Sequence, residues 1–186
     1  NEYRAFDLSG KTLGLVGIGR IGSQVARKAR AAFDMEVIAY DPYARPEAAE
    51  ALGIALEDDL DRLLSRADVL SLHTPLTPET RGLIDQRRLS LMKPSALLIN
   101  FARGGIVDEQ ALYEALKQGT IAGAALDVFE QEPPPADHPL YALDNVLLSP
   151  HSAALTAECV VRMATGAAEG VRDVLLGRTP RWVVNP

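Results

Sequence analysis

A glycine-rich turn, Gly17-Ile18-Gly19-Arg20-Ile21-Gly22, follows a short apolar run, and nineteen residues past Gly22 a second apolar run ends in Asp41. The run 12–16 reads as a buried strand, and 21–33 reads as the helix that follows it. Between them, Gly17, Gly19 and Gly22 permit a tight turn, close approach of backbone to a pyrophosphate, and close packing of helix on strand. The helix N-terminus offers free N–H groups and a partial positive charge to phosphates. Residues 35–40 supply a second strand, and Asp41 at its tip can accept hydrogen bonds from a ribose 2′-hydroxyl. One GxGxxG alone says little. Here strand, turn, helix, strand and carboxylate all fall at the spacing a dinucleotide requires.

The 186 residues are enough for one well-packed domain of ordinary size. Apolar residues at 47% and charged residues at 24% describe a globular protein rather than a disordered one. A net charge of −6 leaves no electrostatic footprint for nucleic acid or an anionic membrane. No apolar stretch is long enough to span a bilayer, and none resembles a signal peptide. The single Cys159 excludes an internal disulfide and fits a reducing compartment, so the cytoplasm is the expected location.

Apolar runs and helical patterns alternate along the whole sequence, which predicts parallel strands joined by helices. The expected fold is α/β: a Rossmann-type, doubly wound parallel sheet flanked by helices. Beyond the first βαβ unit, strands are expected at 69–72, 96–99, 121–126 and 146–148. Helices are expected at 47–52, after a cap at Asp58 or Asp59, at 85–92, from Asp108 to 117, and from a Thr156 cap to about 176. In such sheets ligands bind beyond the carboxyl ends of the strands. Asp41, Thr74, Arg103, Asp127 and His151 all fall at or just past those ends.

Moving a hydride between a nicotinamide and an alcohol needs an acid/base at the substrate oxygen and a cation for an anionic substrate. Three histidines exist. His151 follows Ser149-Pro150 and precedes the small residues Ser152-Ala153-Ala154, which allow close approach, so it is the acid/base candidate. His73 also ends a strand, where a structural or cofactor-side role is expected. His138 lies in a proline-rich loop and reads as a loop-packing residue. Arg103, beside Gly104-Gly105, has a planar fork suited to a carboxylate, although an arginine capping a helix end fits that position as well. Glu132, taken alone, reads as a solvated loop carboxylate.

Together with the glycine turn, four segments carry a resemblance: Leu72 to Thr80, Asn100-Phe101-Ala102-Arg103-Gly104-Gly105, Leu126 to Pro133, and Ser149-Pro150-His151. In order and spacing the sequence resembles the D-2-hydroxyacid dehydrogenase family, most closely its phosphoglycerate dehydrogenase and hydroxypyruvate (glyoxylate) reductase branch. The resemblance implies a role for each matching residue. Arg103 would hold the substrate carboxylate and carbonyl, His151 would be the general acid/base, and Glu132 would hydrogen-bond it. A carboxylate neighbour stabilises imidazolium and helps it keep a proton for a ketone. Arg20 and Ile21 would contact the phosphates, Asp41 the adenosine ribose, and Thr74 the cofactor. Phe101 and Ala102 would offer backbone near the nicotinamide, Asp127 would meet its carboxamide, and Ser152 to Ala154 would line the loop beside it. No metal is implied. The resemblance also implies a homodimer, with a small 2-hydroxy or 2-keto acid as substrate.

Asp41 favours NAD over NADP, because a carboxylate repels a 2′-phosphate. Arg45 stands four residues on, in a loop constrained by Pro42 and Pro46. Phe101 is bulkier than the small residue expected there and would narrow the local pocket. Members of the family carry a second domain built from segments on either side of the cofactor domain. Residues 1–186 therefore read as the NAD-binding domain, starting near a hinge at 6–10 and ending at Val184-Asn185-Pro186. Substrate-domain segments are expected before and after it, with poor turnover by this piece alone. Two other readings share the fold. A formate dehydrogenase typically carries glutamine where Glu132 stands. An NAD-responsive, corepressor-like binding protein keeps a similar Arg, Glu and His set.

Overall fold

The β-strand periodicity and the glycine stops organise the protein as the sequence predicts. In the computed structural model, which describes residues 6–183, the protein divides into two compact units, one ending at Pro150 and one starting at His151. The first unit is a seven-stranded, all-parallel sheet with β1 Thr12–Val16, β2 Glu36–Tyr40, β3 Ala55–Leu56, β4 Val69–Leu72, β5 Leu97–Asn100, β6 Gly123–Leu126 and β7 Val146–Leu148. Strand order is β3-β2-β1-β4-β5-β6-β7. The polypeptide winds outward from β1 in one direction and resumes at β4 in the other, so the switch point lies between β1 and β4. Leu13 pairs with both Val37 and Val69, and Val16 with both Tyr40 and Leu72. The ends of these strands are therefore level, and Gly17 and His73 emerge side by side.

Because side chains alternate along a strand, a sheet covered on both faces needs two cores. One contains Leu13, Leu15, Val37, Ala39 and Val69, packed under Ala26 and Ala29 of α1 (Arg20–Phe33) and Ala49 and Leu52 of α2 (Pro46–Leu52). The other contains Val16, Ile38, Leu70, Leu72 and Leu98. It is covered by Leu63 and Leu64 of α3 (Leu60–Arg66), Leu89 of α4 (Gln86–Leu89), and Leu112 and Leu116 of α5 (Glu109–Gln118).

Local chemistry explains most boundaries. Asp59, Asp85 and Asp108 accept hydrogen bonds from Asp61, Arg88 and Ala111 N–H and start α3, α4 and α5. Gly53 and Gly119 end α2 and α5 in the left-handed region, at φ 62° and 69°. The helix expected over 85–92 keeps α-helical form only to Leu89. Leu91 N–H turns back to Arg88 C=O and Met92 N–H to Leu89 C=O, a tighter winding that buries Leu89 and Met92 before Pro94. The strand expected from 121 begins at Gly123, since residues 120–122 are used leaving the Gly119 stop. The two-residue β3 carries no periodicity and was not expected. It exists because Ile38 and Ala39 offer a free edge.

In the second unit, Thr156 Oγ1 accepts from Cys159 N–H at 3.1 Å and starts α6, Ala157–Leu175. No residue of α6 is buried, and Val160, Val161, Met163, Val171 and Val174 are exposed. Cys159 is half-buried. Val184-Asn185-Pro186, read as the end of the domain, lie outside the described residues.

Candidate functional site

Each glycine of the turn meets a different steric demand. Gly17 has φ 94°, and a Cβ there would lie 2.8 Å from His73 C=O. A Cβ on Gly22 would press into Gly17 C=O, so only glycine lets α1 pack this closely on β1. A Cβ on Gly19 would meet nothing within 4 Å. That open space faces no protein atom, as expected where something other than protein must approach the backbone. Gly19 also caps α1 without any side-chain hydrogen bond, and the first turn of α1 holds no acidic residue. The contrast with α3, α4, α5 and α6, each capped by an Asp or Thr oxygen, is informative: a capping carboxylate at Gly19 would occupy and neutralise an anion site. Arg20 and Ile21, the other phosphate-loop candidates, are exposed at this end of α1.

Beyond β2, Asp41 accepts from Ile18 N–H through Oδ2 at 2.9 Å and from Tyr43 N–H through Oδ1 at 3.0 Å. These bonds hold the carboxylate in one orientation and leave lone pairs on both oxygens for a diol. It forms one wall of a cavity of about 350 Å³, together with Gly17, Pro42, Tyr43, Thr74, Thr77 and Leu83. Thr80 Oγ1 braces the opposite wall, donating to Pro75 C=O and accepting from Thr77 N–H, both at 2.7 Å. Open backbone at Gly19, an uncapped helix start and an oriented carboxylate fit a pyrophosphate and an adenosine ribose. The residues present suit a dinucleotide.

A second rim is assembled past β5 and β6. Arg103 and Phe101 are exposed, Phe101 by 48%, and Ala102 is half-buried. Arg103 Nη1 donates to Ala102 C=O at 2.6 Å, one of its five N–H donors. A Cβ on Gly104 would overlap Phe129 C=O, so the Arg103 loop lies directly against the segment after β6. Phe129 N–H in turn donates to Glu132 Oε1 at 3.0 Å. Glu132 is thus tied to its own loop rather than merely solvated. Asp127 is 2% exposed and accepts from Ser149 Oγ at 2.6 Å. This first unit therefore gathers Arg103, Asp127 and Glu132 along one edge.

The three histidines differ. His73 is held against Ser71 Oγ at 3.0 Å, and burial pushes its imidazole below the ordinary value. His138 packs edge-on to Phe129 at 5.5 Å, accepts from Leu140 N–H through Nδ1, and meets Glu109 Oε2 through Nε2 at 3.1 Å. It is a loop-packing residue, as its context suggested. His151 opens the second unit at φ 52°, a left-handed conformation uncommon outside glycine. Ser152 is half-buried there, while Ala153 and Ala154 are exposed. Among the described residues, no group of three or more His, Cys, Asp or Glu side chains is placed to hold a metal, and no helix is long and apolar enough to cross a membrane.

Sequence reasoning passed over two residues in this rim. Asn100 is buried beneath the Arg103 loop, and Glu109 accepts from both Glu130 N–H and His138. The signal for Asn100 was a polar residue at the end of an apolar strand. Glu109 carried no signal of its own, since its partners Glu130 and His138 lie more than twenty residues away.

Fold and turn together define a dinucleotide-binding domain of the doubly wound class. Residues 1–153 match the family described as "D-isomer specific 2-hydroxyacid dehydrogenase, NAD binding domain", and the chain belongs to that family. It is 51% identical over 99% of its length to a D-3-phosphoglycerate dehydrogenase of Methanocaldococcus jannaschii, covering 35% of that protein. It is 50% identical over 96% of its length to a glyoxylate reductase of Thermofilum pendens, covering 52% of it. The crystal structure of a D-lactate dehydrogenase with NAD+ from Lactobacillus jensenii superposes with a TM-score of 0.86 at 37% identity, over 95% of this protein and 56% of that one. The sequence thus spans about a third to about half the length of these relatives. They favour the dehydrogenase reading over a corepressor-like one.

Proposed function

We propose that this domain serves an NAD-dependent dehydrogenase that interconverts a small D-2-hydroxy acid and its 2-keto acid, of the phosphoglycerate, glycerate or glycolate type. The supporting observation is the contact of Gly104 with Phe129, which places a guanidinium and a carboxylate on one rim past β5 and β6. When bound, NAD(H) supplies or accepts the hydride at C2 of the substrate. Arg103 binds the substrate carboxylate with its remaining N–H donors. In the reductive direction the family resemblance gives His151 the proton for the C2 oxygen and Glu132 the task of stabilising its imidazolium. The same resemblance assigns Asp127, Phe101 and Ala102, and separately Ser152 to Ala154, to the nicotinamide. Gly17, Gly19, Arg20, Ile21, Gly22, Asp41 and Thr74 form the adenosine and phosphate end.

The greater length of the relatives supports a second domain that completes the substrate cleft, with little turnover by residues 1–186 alone. The single cysteine and the metabolic character of the relatives support a cytoplasmic location, and the family resemblance supports a homodimer, which sedimentation measures directly. The test of function has two parts. Fluorescence titration of the protein with NADH and NADPH should show NADH binding at least about tenfold tighter, and Asp41→Ala should erase that preference. A chimera carrying this domain in the glyoxylate reductase of T. pendens should oxidise NADH with glyoxylate, and His151→Asn or Arg103→Ala should lower its kcat/KM by roughly two orders of magnitude or more. Equal binding of both cofactors would reject the Asp41 assignment. A chimera indifferent to both substitutions would reject the catalytic one.

A further inference from the structure

Asn100, the last residue of β5, is polar yet only 2% exposed. Its Nδ2 donates to Arg103 C=O at 2.9 Å, and its Oδ1 accepts from Ala102 N–H at 3.1 Å. Its backbone carbonyl accepts from Asp127 N–H at 3.1 Å, across the β5–β6 pairing. One residue thus fastens both backbone groups that bracket the Arg103 turn, and the start of the segment that carries Asp127 and Glu132. The pattern demands an amide. It requires a donor and an acceptor on two separate atoms at the tip of a short side chain: aspartate and leucine lack the donor, and serine carries both functions on a single oxygen. Asn100 is itself buried, so the two bonds face little competition from water on its side, and losing either leaves a part-buried backbone group of the loop without this partner.

We propose that Asn100 is a positioning residue for the reaction, holding the Arg103 backbone so that the guanidinium is presented to the substrate carboxylate with its loop already ordered. The proposal rests on the reading of Arg103 as the carboxylate-binding residue. It adds that the affinity of this site is set from beneath, by an amide that touches neither substrate nor cofactor. Ordering the loop before binding removes the entropic cost of ordering it during binding. A loop freed at Ala102 and Arg103 would still carry the same guanidinium but would present it in many orientations.

The test uses the chimera of this domain with the glyoxylate reductase of T. pendens, carrying ¹⁵N-labelled arginine, with NAD+ and pyruvate as the 2-keto acid probe, a combination in which no hydride is transferred. The Arg103 Nε–H resonance reports pyruvate binding, and a separate titration with ADP-ribose reports the distant phosphate and ribose end. Asn100→Asp replaces the donor facing Arg103 C=O with a repelling oxygen. It should weaken pyruvate about tenfold while leaving ADP-ribose within about twofold. Asn100→Ser, which keeps an acceptor for Ala102 N–H, should fall between, and it gives the same comparison should Asn100→Asp fold poorly. Unchanged pyruvate affinity, or equal weakening of both ligands, would overturn the positioning role while leaving Arg103 intact. A wild-type Arg103 resonance that ignores pyruvate would overturn the Arg103 reading and this proposal with it.

Discussion

The two ends of the site are built by opposite means. At the phosphate end the geometry comes from missing side chains: Gly17 and Gly22 let backbone approach backbone, Gly19 leaves open space, and the helix start is left uncapped. At the substrate rim it comes from side chains that bind backbone or one another, with Asn100 under Ala102 and Arg103, Glu132 on Phe129, Glu109 on Glu130, and Ser149 on Asp127. The first design suits a ligand recognised by its phosphates and held against backbone N–H groups. The second suits a small substrate, for which a few directed groups must be held in fixed orientation. Asp41 belongs to both, being a side chain pinned by two backbone N–H groups and presented to the cofactor cavity.

Gly104 breaks the symmetry of this contrast, since it is a glycine serving the side-chain-held rim. Gly104→Ala should therefore give the largest effect, because its Cβ would overlap the backbone of Phe129 and force the two loops apart. A loss of about 3 kcal/mol in chemical denaturation is expected, with disruption of both Arg103 and Glu132. A variant within about 0.5 kcal/mol of wild type would show that the rim is soft. Gly19→Ala sharpens the contrast from the other end. Its Cβ meets no protein atom, so stability should change by less than about 1 kcal/mol while NADH affinity falls roughly tenfold or more. An undiminished affinity would place the pyrophosphate elsewhere.

His73 gives the smallest effect and lines the cofactor cavity beside Gly17. Burial lowers its pKa in the folded state, from 6.5 for the ordinary side chain. As pH falls below 6.5, the unfolded protein takes up a proton that the folded one still refuses, so stability declines until the folded pKa is passed. Above that window the contribution of the neutral ring is complete. Denaturation midpoints should therefore drop as pH falls through and below 6.5, and His73→Gln should flatten part of that slope. Identical slopes would assign the dependence to other groups.

Much of this was legible in the sequence. The strands at 12–16 and 69–72 fall where the apolar runs lie, because strands buried on both faces are written as hydrophobic stretches, and the edge strand at 146–148 falls on its apolar run although Leu147 is exposed. The caps at Asp108 and Thr156 and the stops at Gly53 and Gly119 are local chemistry and were equally readable, whereas Asp59 was one of two candidates and Asp85, expected inside its helix, caps it instead. Asp41 was singled out from spacing alone. What escaped was non-local: the two-residue β3, the shortening of α4, the bracing of Glu132 by Phe129, and the roles of Asn100 and Glu109.

The sequence by itself thus determined the alternation of strands and helices, the glycine turn and the identities of the chemical groups, since each depends on neighbours a few residues away. Tertiary structure alone decided which of those groups share an edge. Glycine at 104 is readable as a residue, but its necessity exists only because Phe129, about twenty-five positions later, returns beside it when β6 pairs with β5. Likewise an asparagine at the end of a strand becomes a brace only once folding excludes water from it, since exclusion from water turns two ordinary hydrogen bonds into ones that cannot be exchanged.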